Sequence, residues 1–218
     1  MYDSSTLHST SQSAQANKVL RNTYMLLGLT MAFSASIATV TALMNWPSPN
    51  IILLLVGFYG LMWLTEKNRN KTSGLFYCFA LTGFMGYTAG AIVNKYIGAG
   101  HGDAVVTALA GTGLTFFATS AYALTTKRDL SKLTGFLLAG GVVLMVAVIA
   151  NLFLQMTALS LAISCAFILF SSLVIMWQTQ MIINGGEDNY ISATVTLFVS
   201  IYNIFLSLLQ LVGLAGDD

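Results

Sequence analysis

The last apolar stretch of the chain carries six hydrogen-bonding side chains, Ser192, Thr196, Ser200, Asn203, Ser207 and Gln210, at intervals of 4, 4, 3, 4 and 3 residues. On a helix this spacing holds all six on one face. A sparser row, Ser164, Ser171 and Gln178, repeats every seven residues in the stretch before it. These hydroxyls and amides accept and donate hydrogen bonds, but none titrates near neutral pH. Two uses stay open: interhelical hydrogen bonding, at about 0.6 kcal/mol per contact, and a polar pathway or gated cavity.

Other chemistry is sparse. No Asp, Glu, Lys, Arg or His lies well inside an apolar stretch, where proton-coupled carriers keep their relays. That argues against a pump or a proton-coupled transporter. No Lys follows Lys132 to hold retinal, and His8 and His101 fall in a tail and a loop, away from any intramembrane protease chemistry. Cys78 and Cys165 have no second Cys or His at metal-ligand spacing and read as buried reduced thiols. No nucleophile, base or metal constellation exists at membrane depth, so the expectation is a protein that is not an enzyme, with no cofactor and no metal. A net charge of +1 gives no footprint for nucleic acid.

The elements that position these residues follow from the charges. Only 17 of 218 residues are charged and 56% are hydrophobic, against roughly a quarter charged in a soluble domain. The charges cluster and leave 22–65, 72–94, 104–126, 133–186 and 189–216 without any. A helix crosses the hydrocarbon core with about 20 apolar residues, so five gaps hold seven predicted spans: 24–44, 49–65, 74–94, 104–126, 133–155, 158–183 and 191–214. The first gap is cut by Pro47 and Pro49, with Ser48 expected as the N-cap of the second helix. The fourth gap is cut by a very tight turn near Gln155. Glycines 185 and 186 end the sixth helix, and Asp188 or Asn189 caps the seventh. The fold class is all-α, a polytopic membrane protein. A flexible cytosolic tail over 1–20, polar and without an apolar stretch, precedes a seven-helix domain over 21–215. The polar stripe requires the seventh helix to be surrounded by other helices. Gly28, Ala32 and Ser36, Gly86 and Gly90, and Gly135 and Ala139 are expected at close helix packings.

Alternate loops divide the cations unequally. Lys18, Arg21, Lys67, Arg69, Lys71, Lys127, Arg128 and Lys132 fall on one side and only Lys95 on the other. Cationic loops stay in the cytoplasm, which puts the N-terminus inside and the C-terminus, with Asp217 and Asp218, outside.

The stretch Thr125-Thr126-Lys127-Arg128-Asp129-Leu130-Ser131, followed by Gly135, resembles the turn between the fourth and fifth helices of the Bax inhibitor-1-like (transmembrane Bax inhibitor motif) family. TGFMGYTAGAI (82–92), IMWQTQMII (175–183) and ATVTLFVSIYNIFLSLLQLVG (193–213) agree with it in order and spacing. LRNTYMLLGLT, GGEDNYISATV and SIYNIF are similar to its bacterial YccA branch. The resemblance covers 18–214. It implies two three-helix layers around a central C-terminal helix, in the bacterial inner membrane. It also implies a protein that binds, is a substrate of, and modulates the membrane-anchored AAA protease FtsH, with the polar tail offering that protease a flexible end. The alternative it implies is a calcium-type leak channel or carrier gated by an aspartate pair. Gln178 and Ser200 stand at the positions of that pair, so the titratable carboxylates are missing and calcium is not expected as a ligand. The candidate site is the interior polar face at Gln178, Ser200, Asn203, Ser207 and Gln210, and the candidate cytosolic turn is Lys127, Arg128 and Asp129.

Overall fold

Asn45 takes a left-handed backbone, at φ 52°, and Pro47 and Pro49 follow it, so no helix continues through this segment. The computed structural model describes residues 4–126 and 128–215, with side chains from residue 14 onward. Helix α1 (Ser4–Leu43) ends before the break, and α2 (Ile51–Lys67) begins after it. The cap of α2 is Asn50, whose Oδ1 accepts from Leu53 N at 2.7 Å. Ser48, the expected cap, has its hydroxyl buried without a protein partner. The helix begins two residues later than expected, and Asn50 bonds the amide of its third residue, as a capping asparagine does.

The remaining helices are α3 (Thr72–Gly98), α4 (Gly102–Thr125), α5 (Thr134–Leu154), α6 (Thr157–Ile183) and α7 (Tyr190–Ala215), with a 3-10 turn (Ser131–Leu133) before α5. Gln155, left-handed at φ 51°, makes the two-residue reversal between α5 and α6. Among the described residues six helices are long and apolar enough to cross a membrane. The other, α2, has 17 residues, about 26 Å of helix. Helix α1 is 40 residues long and starts at Ser4 rather than near residue 24. Over 4–20, where a flexible tail was expected, the chain is helical, and no Gly or Pro there interrupts the helix.

α3 packs between α1 and α2, and α6 packs between α4 and α5. These two three-helix layers enclose α7, which touches α1, α2, α3, α4 and α6. No residue of α7 from 190 to 214 is exposed, and Leu197 and Ile204 are wholly buried. α5 packs chiefly on α6 and the 3-10 turn, the Tyr59 hydroxyl of α2 reaches its Met145 Sδ at 3.5 Å, and its two buried residues are Leu137 and Leu144.

The α1–α3 seam is the closest packing. A Cβ at Gly86 would collide with the Ser34 carbonyl, and one at Gly90 with the backbone of Ala38. The α1 face that meets α3 and α7 carries Thr23, Leu27, Thr30, Ser34 and Thr41, all buried. Gly28, Ala32 and Ser36, expected at such a seam, lie on the exposed face instead, and Gly28 has open space around it. Gly135 and Ala139 are also exposed. Spacing of four marks a helix face without saying which way it points. Cys78 is buried, whereas Cys165 sits on the outer side of α6.

Candidate functional site

The two polar rows meet at one end of the bundle. Ser164 Oγ of α6 donates to Gln210 Oε1 of α7 at 2.7 Å. Beside this bond a cavity of about 250 Å³ lies between α5, α6 and α7, lined by Asn151, Ser160, Ser164, Ser207 and Gln210 among apolar neighbours. Asn151 Nδ2 donates to Ser160 Oγ at 2.6 Å across the α5–α6 reversal. The polar lining explains why these helix ends carry amides and hydroxyls, since hydrocarbon supplies them no partner.

Deeper in the bundle the rows do not pair. Gln178 is buried and its Nε2 has no protein partner; Ser171 Oγ is in the same condition. Ser200 Oγ donates back to Thr196 O at 2.8 Å, a bond within its own helix. Asn203 is half-buried. Gln178 and Ser200 thus present neutral amide and hydroxyl groups, without the mutual charge repulsion that makes a carboxylate pair titrate near neutral pH.

At the opposite end, three loops are tied to one another. Asn189 caps α7, its Oδ1 accepting from Ile191 N and Ser192 N at 3.0 and 3.1 Å. Its Nδ2 reaches across to the α2–α3 loop, donating to Arg69 O at 3.1 Å and Asn70 Oδ1 at 2.8 Å. Next to it Ser192 Oγ donates to Glu66 Oε2 at 2.6 Å, and Glu66 pairs with Arg69 at 2.5 Å. Ser192, the first residue of the stripe, therefore belongs to this loop junction rather than to the interior.

Gln180 ties down the α4–α5 loop, which contains the candidate turn. Its Nε2 donates to Arg128 O at 2.8 Å and its Oε1 accepts from Leu130 N at 2.9 Å. Trp177 Nε1 donates to Thr134 Oγ1 at the start of α5, at 3.0 Å. Lys127 lies outside the described residues, and Arg128 is exposed. Asp129 accepts from Ser131 Oγ at 2.6 Å and Ser131 N at 3.0 Å. These bonds, with the Lys132 ammonium adding a smaller effect, hold the Asp129 carboxyl below the usual carboxylate range. The carboxylate's role in the structure is to hold Ser131, the first residue of the 3-10 turn.

The start of α1 is part of the same junction. Ala16 and Val19 are buried, and Val19 packs with Ile182 and Ala193, flanked by Leu20 and Tyr190. Asn189 had a local signal as the expected helix cap and Ser192 as the first residue of the polar stripe, whereas Gln180 had none.

Two three-helix layers around a buried seventh helix define a multi-pass α-helical membrane protein. Residues 16–217 match the family model described as "Inhibitor of apoptosis-promoting Bax1". A relative in Escherichia coli, named "Modulator of FtsH protease YccA", is 54% identical over 214 residues, 98% of each chain. An uncharacterized protein of Pseudomonas aeruginosa is 56% identical over 205 residues, 94% of this chain and 92% of its own. An uncharacterized membrane protein of Vibrio cholerae is 38% identical over 206 residues, again 94% and 92%. The chain belongs to the Bax inhibitor-1-like family.

Proposed function

We propose that this protein works in the bacterial inner membrane as a partner, substrate and modulator of the membrane-anchored protease FtsH. The observation that carries the reading is end-to-end likeness to a relative named as a modulator of that protease. The distribution of charge supports the orientation. The junction of the α2–α3, α4–α5 and α6–α7 loops holds Lys67, Arg69, Lys71, Arg128 and Lys132, Lys18 and Arg21 lie near it on α1, and Lys95 sits at the other end. In this reading the junction and the N-terminus face the cytosol and the C-terminus faces the periplasm.

The mechanism is occupancy. FtsH engages the N-terminal segment and then meets a bundle whose central helix touches five others, so extraction is slow and the protease is withheld from other substrates meanwhile. The candidate site residues in the interior then serve the bundle's resistance to unfolding, with the Ser164–Gln210 bond as one of its ties. Photocrosslinking and co-purification from native membranes, with FtsH recovery as the readout, tests the partner. Failure to recover FtsH from either crosslinked or uncrosslinked membranes would overturn the reading. Calcium flux through liposomes at pH 6 and pH 8 tests the alternative; the neutral pair at Gln178 and Ser200 is expected to give no pH-gated leak.

A further inference from the structure

Helix α1 does not come free of the bundle at the membrane surface. At the loop junction Ala16 and Val19 turn inward, at 7% and 8% exposure. Val19 packs on Ile182, the penultimate residue of α6, and on Ala193 in the first turn of α7, both wholly buried. Thr194 Oγ1 donates to Thr23 O at 3.3 Å one turn further on. Their neighbours on the other side of the helix, Asn17 and Lys18, are exposed. A cavity of about 200 Å³ under Gln15, Ala16 and Val19, walled by Gly185, Glu187 and Asp188, marks where the packing stops.

We propose that the contact of Ala16 and Val19 with the α6–α7 turn is a clamp that sets how readily the protein is extracted from its N-terminus. The proposal rests on the protease reading above. A machine that grips the chain N-terminal to Ala16 pulls against the Val19 contact before it draws on the apolar part of α1. The surface that receives the clamp is the α6–α7 turn, which Asn189 joins to the α2–α3 loop. Opening the clamp therefore loosens the same turn that organises the junction, and a closed clamp delays the first step of extraction.

The test uses the full chain in nanodiscs and in membranes. Val19→Asp places a charge in an apolar contact, and Val19→Ala removes two methyl groups from it. Asn17→Ser alters an exposed neighbour. Amide hydrogen exchange over residues 14–22 should rise about tenfold in V19D, the scale of losing one buried aliphatic side chain, and less in V19A, with N17S unchanged. FtsH-dependent turnover in membranes should rise in the same order. If V19D fails to fold, V19A carries the comparison. Unchanged exchange in both Val19 variants would overturn the contact, and raised exchange with unchanged turnover would overturn its role as a clamp. If FtsH depletion leaves wild-type turnover unaltered, the protease reading fails and the clamp's part in turnover with it, while the exchange data still decide whether the contact holds.

Discussion

Asn189 should be among the costliest polar residues to replace, because one side chain serves two purposes. In Asn189→Ala, α7 loses a cap that accepts from two of its first amides, worth about 1 kcal/mol. The variant also loses the two Nδ2 bonds to Arg69 O and Asn70 Oδ1, about 1 kcal/mol each. The expected loss is about 3 kcal/mol. Asn189→Ser separates the two parts: serine caps about as well as asparagine but is too short to reach the α2–α3 loop, so this variant should lose about 2 kcal/mol. Reversible unfolding in mixed detergent micelles, followed by far-UV circular dichroism, measures both. Losses below about 0.5 kcal/mol in both variants, the scale of an ordinary surface substitution, would refute the account of the junction. Equal losses in the two would remove the cap from it.

Three further outcomes are expected. Gln180→Leu strands Leu130 N and Arg128 O and should cost about 2 kcal/mol, with hydrogen exchange at the Leu130 amide rising while α5 stays protected. Gly90→Val drives a side chain into the Ala38 backbone and should cost about 3 kcal/mol. Gly28→Ala, in open space, should be neutral or stabilising by up to about 1 kcal/mol; equal losses at the two glycines in micelle unfolding would refute the assignment of the α1 faces. Asp129 has a lowered pKa in the folded chain, so its contribution to the turn is complete above the ordinary aspartate value of about 3.9 and fades as pH falls through the lower folded value. Protection of the Ser131 amide relative to its intrinsic exchange rate at each pH should hardly change between pH 5 and 8 and fall at lower pH, and Asp129→Asn should abolish that pH dependence.

The helical spans were legible because charge is excluded from hydrocarbon and each run of uncharged residues had to be one helix or two. The central place of α7 was legible for a related reason: six polar side chains on one face need partners that lipid does not provide. Direction within a face was not. Gly28, Ala32 and Ser36 point outward while Thr23, Thr30 and Ser34 point in; a hydroxyl that can bond its own helix, as Thr30 does on Leu26 O, reads as no more inward than glycine. The junction was harder still. Gln180 bonds a residue 50 positions away and Asn189 one 120 positions away, and nothing in the local spacing of either side chain records its partner. The first helical turns of α1 were read as a tail because they are polar, although their clamp residues, Ala16 and Val19, are among the few apolar ones there.

The enclosure of α7 also constrains the order in which the protein is made. Helix α7, without an exposed residue over 190–214, leaves the ribosome after the other six, so the two outer layers must wait in the membrane with an open slot between them. Thr88 on α3 can bond to Tyr202, and Ser164 on α6 to Gln210, only when that slot fills. A chain stalled before residue 190 would expose the slot to lipid, making synthesis of α7 the step that commits the bundle to its final form.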